Sequence, residues 1–247
     1  MYPLAHIYFV DRVLGLKGEP AVLGSIFPDA AISNGLEWDK SHSLADMLWN
    51  HFQGRDNKMA FFSLGVLSHG IEPRGLDYFS DEKYKDFERG YCYEKSRVFI
   101  DEVIASCNVI PEDGWWKAHN FIEMSVELYL FQKYPFLLSI LRGALSNSSL
   151  IREISKKLEG PLGISSKLVE ESFSLFTEFM LEDDINARGL ALRFQKQHYF
   201  EDSNDSIDLV KCQEIIERGK ISIAGDIDCF FEYAHKQMKP IWDNYIC

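Results

Sequence analysis

The 247-residue sequence lacks both a paired-cysteine motif and a long apolar run. Its five cysteines are scattered without Cys-x-x-Cys spacing, which argues against a cysteine-built zinc site and a disulfide framework. No stretch of about 18 apolar residues is present, so no transmembrane segment is expected. The first residues lack a basic segment followed by an apolar stretch, which excludes a secretory signal. These absences predict a cytoplasmic protein.

Basic residues are also few. The chain has 26 lysines and arginines against 38 acidic residues, which gives a formal net charge of −12. Such a protein repels phosphate backbones and anionic lipid, so we expect no nucleic acid as a partner. Small molecules are still possible ligands. The acidic excess can also simply keep the protein soluble.

Strand-like alternation of apolar and polar residues is missing as well, whereas apolar residues recur at helical spacing along the chain. Hydrophobic residues make up 46% of the sequence, enough for a large core. We therefore expect an all-α fold, a single multi-helix bundle domain. Residues 1–135 are expected to form a helical core with a metal site, and residues 136–247 to pack as further helices on the same domain.

Local signals suggest where helices begin and end. A first helix is expected over residues 3–16, and residues 24–29, which contain a glycine and a proline, are interpreted as a turn-rich connector. Ser41 is a candidate N-cap, and Asp56 or Asn57 is expected to open the next helix. Polar breaks at 160–163 and 201–205 are interpreted as loops.

The most distinctive segment is a predicted long helix over residues 114–134. Residues four apart on a helix lie on one face, so His119 and Glu123 should point the same way. An imidazole and a carboxylate are common zinc ligands. A chance surface pair is the alternative interpretation of this spacing. His198 and His235 lie in the second half, where packing or surface roles are expected.

Five histidines fall in the first half of the chain, and three of them sit beside breaks in the helical pattern. His69 ends an apolar helix just before a Gly/Pro turn, a position that can hold an imidazole towards a cleft. Asp29 follows a proline, where a rigid backbone can aim a carboxylate inward. His42 adjoins the proposed N-cap.

Taken in order, the candidate motifs are His6, the segment 24–29 that ends in Asp29, His42, the helix end 64–69 and the His119-x-x-x-Glu123 pair. This order resembles the zinc-dependent phospholipase C family, all-helical enzymes that bind up to three zinc ions. The resemblance covers about residues 1–130. It implies one to three ions of zinc, or of another divalent metal such as iron or manganese. The implied metal ligands are His6, Asp29, His42, His69, His119 and Glu123.

The sequence departs from that family in two places. The family commonly has an aspartate four residues after the helix-end histidine, where this chain has Pro73; Glu72 or Asp77 is a possible substitute. The N-terminal tryptophan ligand of the secreted enzymes has no counterpart, because this chain begins with Met1. One or two ions are therefore the safer expectation.

A fainter similarity, carried by residues 4–8 and 74–81, is to acyl carrier protein phosphodiesterases, which are also helical and metal-dependent. Both resemblances imply hydrolysis of a small-molecule or lipid-like phosphate ester. Asp29 would bridge two ions, and Asp77, if it is not a ligand, would orient the attacking water. Arg74 would hold the phosphate, with a solvated loop residue as the alternative.

Two other function classes remain open. The chain can be a helical binding or regulatory protein that retains the scaffold without full metal ligation, as the Pro73 departure favours. It can also be a purely structural bundle whose histidines pack in the core. In that case the side chains of His6, His42, His69 and His119 would lie far apart. The sequence does not indicate the substrate or the oligomeric state.

Overall fold

The computed structural model describes residues 1–32, 35–181, 184–201 and 207–246, and these residues contain helices and no strand. The predicted all-α fold is confirmed. In chain order the α-helices are α1 (Pro3–Tyr8), α2 (Glu19–Ile32), α3 (Trp38–Ser41), α4 (Ala45–Phe52), α5 (Asn57–His69), α6 (Tyr91–Ser96), α7 (Ile100–Cys107), α8 (Gly114–Lys133), α9 (Phe136–Ser146), α10 (Ser148–Leu162), α11 (Ser166–Leu181), α12 (Ala187–Glu201), α13 (Leu209–Ile223) and α14 (Ile227–Ile246). Single π-helical turns cover Phe9–Val13 and Tyr78–Glu82.

The most extensive helix contact joins α2 to α5, and two glycines allow their close approach. A Cβ atom on Gly24 would lie 2.0 Å from the Phe62 carbonyl oxygen, and one on Gly65 would lie 2.2 Å from the Ala21 carbonyl oxygen. Any larger residue at either position would push the helices apart. The pair forms the rigid support for side chains at the ends of both helices.

The prediction of a connector over residues 24–29 was wrong, because α2 runs through this segment with Pro28 inside it. Proline removes only one backbone donor, and the extensive contact with α5 holds the helix together. Gly24 therefore serves helix packing rather than a turn. As a result, Asp29 projects from a helix.

Other boundary predictions had mixed outcomes. Ser41 is the last residue of α3 and not an N-cap, since the next helix begins at Ala45. The Asp56 cap is confirmed, because its carboxylate accepts hydrogen bonds from the Lys58 and Met59 amides. The first helix is α-helical only to Tyr8 and continues as a π-helical turn. The long helix was predicted to within one residue.

The helices of the second half pack on those of the first. Helix α9 contacts α1 and α2, α11 contacts α2, and α13 contacts α8. The predicted break at 160–163 is shorter than expected, because α10 continues to Leu162 and ends at Gly163 in the left-handed conformation. Of the predicted loop 201–205, residues 202–205 lie outside the described residues. Within the described chain no helix is both long and apolar enough to cross a bilayer.

Candidate metal centre

Four side chains from separate segments converge beside the α2–α5 pair. Asp29 comes from the end of α2, His42 follows α3, His69 ends α5 and Asp77 precedes the π-helical turn. Each offers one nitrogen or oxygen atom to a group in which all atoms lie within 4.8 Å of one another. We call these four residues the first ligand set.

The spacing of these atoms fits one small cation. His42 Nε2 lies 3.2 Å from His69 Nε2 and 3.6 Å from Asp29 Oδ1. His69 Nε2 lies 3.6 Å from Asp29 Oδ1 and 2.9 Å from Asp77 Oδ2, and His42 Nε2 lies 3.4 Å from Asp77 Oδ2. Tetrahedral zinc with ligands about 2.1 Å away separates its ligand atoms by about 3.4 Å. The five distances surround that value.

Hydrogen bonds to backbone carbonyls fix the orientation of three histidines. His69 Nδ1 lies 2.7 Å from the Ser25 carbonyl oxygen, and His42 Nδ1 lies 3.0 Å from that of Trp38. His119 Nδ1 is hydrogen-bonded to the carbonyl of Trp116. Each ring therefore donates through Nδ1 and directs Nε2 towards the carboxylates. Metal-binding histidines are held by the same kind of bond.

A second ligand set consists of Asp81, His119 and Glu123. His119 and Glu123 share one face of α8, as predicted, with Nε2 and Oε1 3.9 Å apart. The Tyr93 ring stacks on His119 with centroids 4.3 Å apart and restricts the imidazole. Asp81 Oδ1 is buried without a hydrogen-bond partner in the described part of the chain. Burial and the nearby Glu123 raise the pKa of Asp81 to about 6.

Met1 and His6 connect the two sets. The Met1 nitrogen lies 2.9 Å from Asp77 Oδ1 and 3.1 Å from Glu123 Oε1. His6 Nε2 lies 3.0 Å from the Met1 carbonyl oxygen and 3.4 Å from Asp77 Oδ1. The His6 ring also stacks on His69 with centroids 3.7 Å apart. Asp77 thus contacts His42 and His69 through Oδ2. Its other oxygen, Oδ1, contacts His6 and Met1.

The electrostatics of the first set are those of tightly packed opposite charges. Burial alone would lower the pKa of His69, but the Asp77 and Asp29 carboxylates raise it to about 10. Burial alone would raise the pKa of Asp77, but the Met1 amino group and His69 hold it well below its usual range. Without a metal ion, the protonated His69 supplies part of the positive charge that these carboxylates require.

Asp29 is the most exposed member of the first ligand set, and its side chain keeps 24% of its surface exposed. Trp38 is 41% exposed, and its ring stacks on His42 with centroids 4.3 Å apart. Arg74 is not part of either ligand set. Its guanidinium covers the Tyr78 ring at 4.6 Å in a groove of about 750 Å³, and no residue of either ligand set lines that groove.

The structure thus brings all six predicted ligands into one centre, together with Asp77. Sequence reasoning missed Asp81, although its spacing of four from Asp77 in segment 74–81 was a usable signal. It also gave Met1 no place in the centre, whereas the Met1 amino group lies between Asp77 and Glu123. His235 is exposed, and the side chain of His198 lies outside the described residues.

Comparison with known proteins adds no relative: no family model, no curated protein and no solved structure matches this chain.

Proposed function

We propose that the protein is a metal-dependent hydrolase that cleaves phosphate esters, as a phosphodiesterase or phospholipase C-like enzyme. The observation that carries this proposal is the first ligand set, whose donor spacing matches a tetrahedral divalent ion. Zinc is the first candidate because two imidazoles and two carboxylates suit it, although iron and manganese accept the same ligands. The donor types and their spacing therefore fit the metal that the sequence implied.

The chain would hold metal at more than one position. Asp29, His42, His69 and Asp77 would hold one ion, and Asp81, His119 and Glu123 another. Asp77 has a second oxygen facing His6, so it is suited to be shared between neighbouring positions. Bound divalent ions supply Lewis acidity, which lowers the pKa of water and offsets charge on phosphoryl oxygens.

The protein side chains contribute orientation and access. Carbonyls of Ser25 and Trp38 hold the two imidazoles of the first set in one tautomer. Burial alone would raise the pKa of Asp29, but His69 and His42 hold it well below its usual range. Asp29 therefore stays ionised and, as the most exposed member of the set, can accept a hydrogen bond from an attacking water. Trp38 is placed to contact an organic group of the ester.

The test is metal analysis followed by hydrolysis assays on the full chain, with the purification tag at the C-terminus because Met1 lies in the centre. We expect at least one equivalent of zinc, manganese or iron and turnover of bis(p-nitrophenyl) phosphate or phosphatidylcholine. His69→Ala and His119→Ala should each lower metal content and abolish turnover, while His235→Ala should do neither.

Three results would count against the proposal in different ways. Absence of metal after reconstitution would reject the metal centre itself. Stoichiometric metal without turnover of any phosphodiester would favour the binding or regulatory alternative. Equal loss in all three histidine variants would indicate general unfolding, which circular dichroism would reveal.

A further inference from the structure

Two buried charged residues, Glu127 and Arg193, lie outside both ligand sets. Glu127 is one helical turn beyond Glu123 on α8 and is only 1% exposed. Arg193 on α12 is fully buried, and its charge lowers the pKa of Glu127. Burial has the larger effect and raises that pKa to about 7. Buried charges are costly, so the contacts of Glu127 and Arg193 should indicate their role.

Glu127 contacts the first turn of α1. Its Oε2 accepts a hydrogen bond of 2.8 Å from the Leu4 amide. That turn has no capping side chain of its own, since the Tyr2 side chain makes no hydrogen bond to it. Pro3 has no amide hydrogen, so the Leu4 amide is the first in the helix that needs an acceptor. The carboxylate from α8 therefore caps α1 from another part of the chain. Leu4 lies between Met1 and His6, the two residues that connect the ligand sets.

Arg193 supplies buried positive charge near this carboxylate. Its Nη2 donates to the Met180 carbonyl oxygen at 2.8 Å, near the end of α11. Its Cζ lies 6.0 Å from the centroid of the Tyr2 ring. Its Nε has no partner among the described residues. The guanidinium thus connects α12 to the end of α11 and lies near Tyr2, at the start of α1.

We propose that Glu127 is a positioning residue for the His6 end of the metal centre, with Arg193 as its counter-charge; this role rests on the proposed function. The hydrogen bond to Leu4 fixes the turn that carries His6, so removing it should weaken metal binding without removing a ligand. Supporting contacts of this kind are worth about 10- to 100-fold in metal affinity.

The test compares two matched double variants, Arg193→Met/Glu127→Gln and Arg193→Met/Glu127→Met. Replacing a buried pair by uncharged side chains of similar volume usually preserves stability. Both variants lack the charges, but only the glutamine retains an acceptor for the Leu4 amide. Zinc affinity is measured by competition with a chromophoric chelator, and folding by circular dichroism. The exposed substitution Glu214→Gln serves as the control and should bind zinc as the unmodified chain does.

We expect the glutamine variant to bind zinc about 10- to 100-fold more tightly than the methionine variant. Adding His6→Ala should weaken the glutamine variant strongly and the methionine variant little, because both changes act on the same part of the centre. A purely structural role would leave zinc affinity equal in the two folded variants, and that result would overturn the proposal.

If the methionine variant alone, or both variants, failed to fold, the hydrogen bond between Glu127 and Leu4 would be needed for folding rather than for metal binding. That result would also overturn the proposal. Failure of the unmodified chain to bind zinc would instead refute the proposed function. The two failures are therefore distinguishable in one set of measurements.

Discussion

Zinc binding should release a proton from His69, and the structure gives the reason. Both ring nitrogens face acceptors, with Nδ1 2.7 Å from the Ser25 carbonyl oxygen and Nε2 2.9 Å from Asp77 Oδ2. A histidine that donates in both directions carries a hydrogen on each nitrogen. The two neighbouring carboxylates accordingly raise the pKa of His69 to about 10 against the opposing effect of burial. The ion-free protein thus holds an imidazolium where a metal ligand is required.

The size of the effect follows from that pKa. At pH 7, about three units lower, only about one His69 ring in a thousand is neutral. Zinc ligation requires neutral rings. Burial alone would lower the pKa of His42, but Asp29 and Asp77 raise it as well, so filling the first ligand set should release at least about one proton per ion. Between about pH 7 and 8.5, apparent zinc affinity should therefore rise by at least about tenfold per pH unit. Conversely, the stabilisation that protonated His69 gives the ion-free fold is present below its unfolded pKa of about 6.5 and is lost as pH rises through about 10.

Isothermal titration calorimetry measures this release directly. Zinc is titrated at pH 7 in two buffers with different ionisation enthalpies, and the difference in observed heat gives the number of protons. His235→Ala should release the same number as the unmodified chain. Zinc binding without proton release, or an affinity that does not change between pH 7 and 8.5, would refute the assignment of an imidazolium at His69.

Two further predictions concern shared elements of the centre. Asp77→Asn should lower zinc stoichiometry by at least one ion and phosphodiester turnover by at least about 100-fold, because the carboxylate contacts His42 and His69 through Oδ2 and His6 through Oδ1. The exposed substitution Asp39→Asn should change neither. Retention of full stoichiometry in Asp77→Asn would contradict a ligand role for Asp77. Gly65→Ala should destabilise the fold by about 1–3 kcal/mol or more in urea unfolding, because its Cβ would overlap the α2 backbone. Gly143→Ala, in open space on α9, should stabilise by up to about 1 kcal/mol, so equal effects of the two glycine substitutions would refute the packing argument.

Local patterns in the sequence were sufficient where the structure depends on neighbours in the chain. The shared face of His119 and Glu123 follows from helical spacing alone, and the Asp56 cap follows from the chemistry of a helix start. The long helix carrying the pair was found for the same reason. Predicting these features required no knowledge of the residues that pack against them.

Prediction from the sequence was wrong where tertiary contacts override local conformational preference. Gly24 and Pro28 together are typical of a turn, yet they lie inside a helix because Gly24 is pressed against α5. Nothing in the local sequence reveals that partner. The phosphate-binding role of Arg74 stays a prediction; the structure places its guanidinium over the Tyr78 ring, in a groove that no residue of either ligand set lines.

The distances also bear on the structural alternative that the sequence left open. A structural bundle would keep its histidines apart, whereas three of them lie in van der Waals or hydrogen-bond contact around Asp77. Four carboxylates in the same region would repel one another unless cations offset them, and the buried Asp81 retains an unpartnered oxygen. These features favour a cation-binding centre over a packed core. Asp29 is the most exposed member of the first ligand set, and Trp38, which stacks on His42, is itself exposed. This exposure supports the proposed enzyme, and the turnover assay decides between it and the binding or regulatory alternative.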